Sequence, residues 1–203
     1  MSAMQTSSTN SYHDFLRTRR SIRRFKPDPV PASVIDRILT SATFAPSAHN
    51  LQPWRFVHIE SSKAKEKLGN ALTEKMRSDM EAENADPAQT QKRVDISLRR
   101  IAEAPVIILL CRDETVIRKE DVEEHHMGIQ STALAGLQLM LAAHAEGLGA
   151  NWICWPLYAQ AVTQAALDLP QSWQPEAMFF LGQPDENPEE ALRKSVKELT
   201  TSR

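Results

Sequence analysis

Residues 46–54 read Pro-Ser-Ala-His-Asn-Leu-Gln-Pro-Trp, a short polar segment with a proline near each end. Proline restricts its own backbone and that of the preceding residue, so we predict a tight loop here rather than a stretch of helix. The same sequence is also typical of an ordinary turn that connects a helix to a strand and has no ligand, with Trp54 packed in the core. The residues inside it that could contact a planar polar ligand are Ser47, Ala48, His49, Asn50 and Gln52.

A cationic cluster, Arg-Arg-Ser-Ile-Arg-Arg, occupies residues 19–24. A guanidinium group keeps its charge and donates paired hydrogen bonds to phosphate oxygens, and Ser21 adds a neutral donor. Alone, the cluster is more typical of a solvated basic surface, and a nucleic-acid-binding arm is a second interpretation. The net charge of −2 argues against nucleic acid as the partner. Together, the cluster and the loop indicate a site for a phosphorylated planar cofactor.

The composition is that of a globular protein with no membrane segment. At 203 residues and 41% hydrophobic content, the chain can bury a substantial core. We predict one domain over residues 12–203, preceded by a polar, disordered tail over residues 1–11. The longest apolar stretches are too short to span a bilayer, and the N-terminus lacks the apolar core of a secretory signal.

The two cysteines, Cys111 and Cys154, lie in apolar runs and are predicted to be free, buried thiols. Their spacing fits neither a CxxC motif nor a disulfide framework, which favours a reducing, cytoplasmic compartment.

Hydrophobic periodicity predicts alternating helices and strands. Asp86-Pro87 is a typical helix start, and Gly147 and Gly149 are predicted to end the longest helix and to form a turn. The predicted helices cover residues 12–18, 31–45, 63–80, 87–104, 124–146 and 158–167, and the predicted strands cover 55–60, 105–111, 150–155 and 177–181.

Motifs for other cofactors are absent from the sequence. It contains neither the dinucleotide fingerprint G-x-G-x-x-G nor the phosphate loop G-x-x-x-x-G-K-[ST]. His125 and His126 are adjacent, so their side chains diverge on a helix, and no metal site is predicted.

Five motifs occur in an order that resembles the nitroreductase family of flavin mononucleotide (FMN) enzymes. They are Arg19-Arg-Ser-Ile-Arg23, Pro46 to Trp54, Gly147-Leu-Gly149, Gly182-Gln-Pro184 and Arg193-Lys194. The resemblance covers residues from about 12 to 196, and the combination is far more specific than any single motif.

The resemblance implies particular roles for residues at these motifs. Arg19, Ser21 and Arg23 would bind the FMN phosphate and ribityl chain, with Arg20 beside them through its backbone. Arg193 and Lys194 would complete the phosphate site from the far end of the chain. The residues expected to contact the same flavin from the other subunit are Pro46, Ser47, Ala48 and Asn50, with His49 and Gln52 also at the cofactor. Those expected along the isoalloxazine are Trp152, Ile153 and Cys154, and those narrowing the acceptor pocket are Trp155 and Tyr158.

The resemblance also implies an α+β fold, with a mixed central sheet wrapped by helices, in an intertwined homodimer. The helix at 124–146 would form much of the interface. The implied activity is hydride transfer from NADH or NADPH through FMN to an electron-poor small molecule such as a nitroaromatic or a quinone. The flavin would carry the chemistry, so we assign no catalytic side chain.

Two alternatives remain open at this point. Ala45-Pro-Ser-Ala-His-Asn50 is closer to the branch that includes the FMN-binding C-terminal half of the ligase that completes the deazaflavin coenzyme. Flavin-dependent reduction in the maturation of that coenzyme is therefore one alternative. A non-catalytic flavin-binding module is the other.

Overall fold

A four-stranded sheet with strand order β1-β2-β4-β3 forms the centre of the computed structural model, which describes residues 11–203. The predicted tail lies outside these residues except for Ser11, which is helical. The strands are β1 (Trp54–His58), β2 (Val106–Asp113), β3 (Gly149–Ile153) and β4 (Trp173–Gly182). The helices are α1 (described over residues 11–18), α2 (Ala32–Ala42), α3 (Ser62–Ala82), α4 (Pro87–Glu103), α5 (Val122–Ala145), α6 (Trp155–Tyr158), α7 (Gln160–Ala166) and α8 (Val196–Leu199), with a 3₁₀ turn at Ala48–Asn50.

Helices cover both faces of this sheet. One core cluster joins α2 and α5 to the face that carries Phe179, and the other joins α3, α4 and α7 to the face that carries Met178. β2 is buried along its whole length, as its unbroken apolar sequence predicts. The long helix α5 packs across β1, β2, β3 and β4 on one face and contacts α2.

Capping side chains begin three of the helices, and the cap at Asp86 is the one that the sequence predicted. The side chains of Ser61, Asp86 and Asp121 accept hydrogen bonds from backbone amides in the first turns of α3, α4 and α5, at 2.8–3.1 Å. Each bond satisfies a donor that the helix itself leaves unpaired. Gly147, with φ of +74°, follows α5 in the left-handed conformation that glycine tolerates.

The sheet is antiparallel in all three ladders rather than mixed. Within residues 11–203, parallel pairing is limited to one bridge, between Ser21 and Ala150. An unbroken apolar strand can be buried on both faces in a mixed or in an antiparallel sheet, so the sequence pattern of β2 did not distinguish the two kinds of sheet. The ladder between β2 and β4 is irregular at Leu110 and Cys111, where Glu176 of β4 is an extra residue beside Pro175, which has no amide hydrogen for the ladder.

Two further expectations are corrected. The predicted strand at 150–155 ends at Ile153, because Pro156 supports the start of α6 instead. Cys154 is exposed just before α6, whereas Cys111 is buried as predicted. Burial, with a smaller contribution from Glu176, raises the pKa of the Cys111 thiol to about 12.

No helix in the described part of the chain has the length and apolar character to cross a membrane. Residues 11–203 likewise contain no cluster of three or more histidine, cysteine or acidic side chains suited to a metal ion.

Candidate cofactor site

The arginine segment lies against the start of β3. Ser21 and Ala150 form the parallel bridge, and the backbone amide of Ile22 donates to the carbonyl of Ala150 at 3.0 Å. A Cβ at position 149 would lie 2.6 Å from Cβ of Ile22, so glycine is required there for the close approach. The packing thus fixes the segment that carries Arg19 beside the C-terminal end of α5.

Arginines from both ends of the chain meet in one cleft. Arg19, Arg20 and Arg193 line a cavity of about 590 Å³ together with apolar side chains of α5. Burial, followed by the nearby charges of Arg193 and Arg20, lowers the pKa of Arg19. A smaller cavity of about 320 Å³ shares Arg19 and Arg20 and extends to Gly149 and Ala150. Lys194, the other predicted residue from this end, is exposed.

The surroundings of Arg19 are those of an anion-binding site. Its Nη1 atom is buried and has no hydrogen-bond partner among the residues that the structure describes. A buried charged donor without a partner costs more than about 1–3 kcal/mol, and positive neighbours increase that cost. A phosphate group in the cleft would accept this hydrogen bond and offset much of the positive charge of Arg19, Arg20 and Arg193, so the residues present fit FMN.

His144 lies at the same cleft and supports it from α5. Its ring stacks on Phe15 with 5.0 Å between the ring centroids, and its Nε2 atom lies 3.2 Å from Oγ1 of Thr18. Burial, and then the charges of Arg19 and Arg20, lower its pKa. His144 therefore holds the end of α1, directly before Arg19, and it does so most readily as a neutral ring.

Two glutamates after β4 contact the arginine segment. Glu190 lies 3.7 Å from Nη2 of Arg20, and Glu186 accepts from the backbone amides of Arg23 and Arg24 and from Nε of Arg24. Arg23 does not line the cleft that contains Arg19; its side chain lines a separate cavity. The structure thus brings Arg19 and Arg193 together and separates Arg23 from them.

The loop at 46–53 is held in a strained conformation. His49, Asn50 and Gln52 have φ values of 53°, 57° and 51°, in the left-handed region that residues other than glycine seldom adopt. Ser47 stabilises the loop, because its carbonyl accepts from the Asn50 amide and its Oγ atom from the Gln52 amide, both at 3.1 Å. Strain of this kind accumulates at functional sites, where the surrounding structure maintains it.

The same loop contacts the N-terminal half of α5. The Ala48 amide donates to Oγ of Ser131 at 3.1 Å, whereas the arginine cleft contacts α5 between Leu137 and His144. At a rise of 1.5 Å per residue, Ser131 and His144 are separated by roughly 20 Å along the helix. Within one protomer, the predicted loop residues and the predicted phosphate residues are therefore far apart.

The end of β3 presents the remaining predicted residues. Trp152 packs edge-on to Phe179, with ring centroids 4.9 Å apart, and against Gly136, so its indole belongs to the core. Ile153 and Trp155 are half-buried against the opposite core, while Cys154 and Tyr158 are exposed. Trp152 can therefore meet a ligand mainly through its backbone, and Tyr158 through its side chain.

Three residues of this region were not identified from the sequence. Ser131 anchors the loop, His144 supports Arg19, and Glu186 fixes the backbone after Ile22. His144 is a polar residue in the apolar C-terminal part of α5, a signal that could have indicated it, whereas Ser131 lies between Gln130 and Thr132 and carried no such signal. Glu186 lies in a uniformly polar segment, which carried no comparable signal.

The similarity to known proteins spans nearly the whole chain. The model of the nitroreductase family matches residues 16–183. The chain is 33% identical over 172 residues to the 5,6-dimethylbenzimidazole synthase of Rhodospirillum rubrum, covering 83% of this chain and 79% of that protein. It is 28% identical over 188 residues to YfhC of Bacillus subtilis, which is named as an NAD(P)H nitroreductase, covering 93% and 92%. Among solved structures, a BluB-like flavoprotein from Clostridium difficile 630 superposes with a TM-score of 0.77 at 25% identity, covering 95% of this chain and 98% of that chain.

The chain therefore belongs to the nitroreductase family, and its α+β architecture is the fold of that family. The family assignment and the prediction of an oxidoreductase of this class are both confirmed.

Proposed function

We propose that the protein is an FMN-dependent oxidoreductase that passes a hydride from NADH or NADPH through FMN to an electron-poor small molecule such as a nitroaromatic or a quinone. The observation that carries this proposal is the buried Nη1 of Arg19, which has no partner within residues 11–203, in a cleft shared with Arg20 and Arg193. Membership of the nitroreductase family supports FMN as the phosphate-bearing ligand.

Residues of this chain would bind and orient the cofactor rather than react. Arg19 and Arg193 would hold the phosphate, with Arg20 and Ser21 beside them, and the backbone of Trp152, Ile153 and Cys154 would run along the ring. Bound FMN supplies the two-electron chemistry, as flavins do in other enzymes. Trp155 and the exposed Tyr158 would limit the size of the acceptor.

We further propose that the functional unit is a homodimer. α5 carries an exposed apolar face in which Ile129, Leu134 and Leu137 are each more than 40% exposed. These residues, with Ala133 and Leu141, recur at helical spacing on one side of α5. A contiguous apolar face of this kind marks an interaction surface.

Two-fold symmetry would also explain why the loop and the arginine cleft are far apart in one protomer. If two copies of α5 pack antiparallel with the axis near Leu134, the N-terminal half of one lies beside the C-terminal half of the other. The loop at 46–53 of one protomer would then approach the arginine cleft of its partner. Each of the two sites would be completed only in the dimer.

The absorption spectrum of the purified protein tests the proposed function. We expect flavin absorption, release of FMN rather than FAD on denaturation, and bleaching under anaerobic conditions by NADH or NADPH. Adenine in the released flavin would contradict the FMN assignment. Bound flavin that neither nicotinamide bleaches would favour the alternative of a non-catalytic flavin-binding module.

A second candidate function is formation of 5,6-dimethylbenzimidazole, which the 33% identity to a synthase of that name favours. Aerobic incubation with FMN and a reductant, followed by mass spectrometry for that product, distinguishes it from acceptor reduction. Reduction in deazaflavin-coenzyme maturation is tested in the same way, by turnover of the coenzyme precursor. For each of these activities we propose a cytoplasmic location, in keeping with the free thiols of Cys111 and Cys154.

A further inference from the structure

A second cationic cleft forms where residues 23–25 meet the C-terminal end of α4. It has a volume of about 420 Å³ and is distinct from the cavities that contain Arg19. Guanidinium groups from two distant parts of the sequence converge on it. The lining residues are Arg23, Arg24, Phe25, Arg99, Arg100, Glu103, Ala104 and Asp185.

Most of the arginines in this cleft lack an ion-pair partner among the described residues. Only Arg24 of the four arginines has an ion-pair partner in the described residues, through Nε to Oε2 of Glu186 at 3.2 Å. Glu103 and Asp185 line the cleft, but neither forms an ion pair with any residue between 11 and 203. With Glu186 included, four guanidinium groups therefore face three carboxylates, which leaves an excess positive charge that an entering anion would offset.

The helix dipole explains only part of this arrangement. A basic residue in the last turn, such as Arg100, is stabilised by the partial negative charge at the C-terminal end of α4. That effect gives no reason for Arg23 and Arg24 to approach from the N-terminal segment. Their approach is fixed independently, by Glu186 and by the backbone hydrogen bond from Asp185 to Arg24 at 3.0 Å.

We propose that this cleft binds the phosphate group of a nucleotide, at a site separate from the one assigned to FMN. Arginine suits phosphate because its planar fork donates two parallel hydrogen bonds and cannot lose its charge. Phe25 and Ala104 give the lining an apolar part, which suits the base or sugar of a nucleotide better than it suits an inorganic ion. The phosphate could be the adenosine 2′-phosphate of NADPH, a case that rests on the proposed function, or that of a free nucleotide.

Isothermal titration calorimetry on protein saturated with FMN tests the proposal. The probes are adenosine 2′,5′-bisphosphate and adenosine 5′-diphosphate, and the test variant is the double substitution Arg99→Gln/Arg100→Gln. The matched control is Lys92→Gln/Arg93→Gln, which removes the same charge from exposed positions of α4 outside the cleft. We expect at least one probe to bind, with an affinity at least tenfold weaker in the test variant and within twofold of the original in the control.

The same experiment separates the two sources of phosphate. If the phosphate is that of NADPH, the protein should prefer the 2′,5′-bisphosphate. In the test variant the KM for NADPH should then rise at least fivefold, while the KM for NADH stays unchanged. Equal binding of both probes with unchanged KM values identifies a free nucleotide. Failure of both probes to bind at 1 mM, or equal weakening in test and control variants, overturns the proposal. Flavin absorption measured on each variant reports the FMN site separately, so a failure of the proposed function is not confused with failure of this site.

Discussion

Arg19 combines burial and positive neighbours with a donor atom, Nη1, that has no partner in the described part of the chain. Substitution Arg19→Ala removes a charge-assisted contact that contributes roughly 1.5–3 kcal/mol, so FMN affinity should fall by about ten- to a hundredfold. Fluorescence titration of the flavin-free protein with FMN measures this change. Arg77→Ala, at a half-buried position of α3 outside the clefts, is the control and should leave the affinity unchanged.

Trp155 should affect acceptor choice rather than cofactor retention. It is half-buried at the start of α6 and does not line the phosphate cleft. We expect Trp155→Ala to keep its FMN, as judged from the flavin-to-protein absorbance ratio, and to shift kcat/KM toward bulkier quinones. Trp155→Phe, which preserves an aromatic ring, should shift it less. Loss of flavin from Trp155→Ala, with retention by Arg19→Ala, would show that both residues are wrongly assigned.

His144 should make stability depend on pH. Its pKa is lower in the folded protein than the ordinary value of 6.5, so below about pH 6.5 the unfolded chain binds more protons than the folded one. The free energy of unfolding should therefore decrease as pH falls through this range in flavin-free protein. Urea denaturation from pH 7.5 to 5 should give a smaller decrease for His144→Gln than for the original protein. His13→Gln, at an exposed position of α1, should retain the full decrease.

At the scale of elements, replacing either of two helical glycines by alanine should change the free energy of unfolding in opposite directions. A Cβ at Gly136 would clash with the ring of Trp152 and lie 3.0 Å from Cζ of Phe179. At Gly69 the nearest atom is the flexible Cδ2 of Leu98, at 3.2 Å. Overpacking costs about 1–3 kcal/mol, whereas replacing glycine by alanine in a helix gains about 1 kcal/mol. Chemical denaturation should therefore find Gly136→Ala destabilised and Gly69→Ala unchanged or stabilised.

Elements with strong local signals were predictable from the sequence. Asp86-Pro87 located the start of α4, and the apolar run before Cys111 located β2, because capping and burial act over a few residues. The antiparallel direction of the ladders was not predictable, since β2 is buried on both faces in either arrangement. Exposure of Cys154 followed from α6, a single turn too short to leave a periodic pattern.

The candidate site was only partly predictable for a related reason. Motif order indicated that Arg19 and Arg193 would share a ligand, and the structure brings them to one cleft. The Arg23 backbone is held by Glu186, and Arg23 lines a cavity at the end of α4; both partners lie far away in the sequence. Such contacts between distant segments leave no mark on the local sequence around Arg23.

At the scale of the whole molecule, flavin retention should depend on the apolar face of α5. Leu134→Glu places a charge at the centre of the proposed interface, where its burial would be costly. We expect a monomer by light scattering and a loss of most bound flavin, because the loop at 46–53 could no longer reach its partner. Ala82→Glu, at an exposed position of α3, is the control for the added charge. A Leu134→Glu monomer with its full flavin content would contradict the shared site.

The cleft that joins Arg19 to Arg193 has a consequence for the order of events during biosynthesis. Its first arginine emerges early in translation, but β3 must be made before Ser21 can form its bridge, and Arg193 follows every strand of the sheet. Contacts between such distant positions form late, because long loops must close before they are stabilised. The nascent chain should therefore bind its cofactor with full affinity only after residue 193 has left the ribosome, and a product truncated before that residue should hold FMN more weakly.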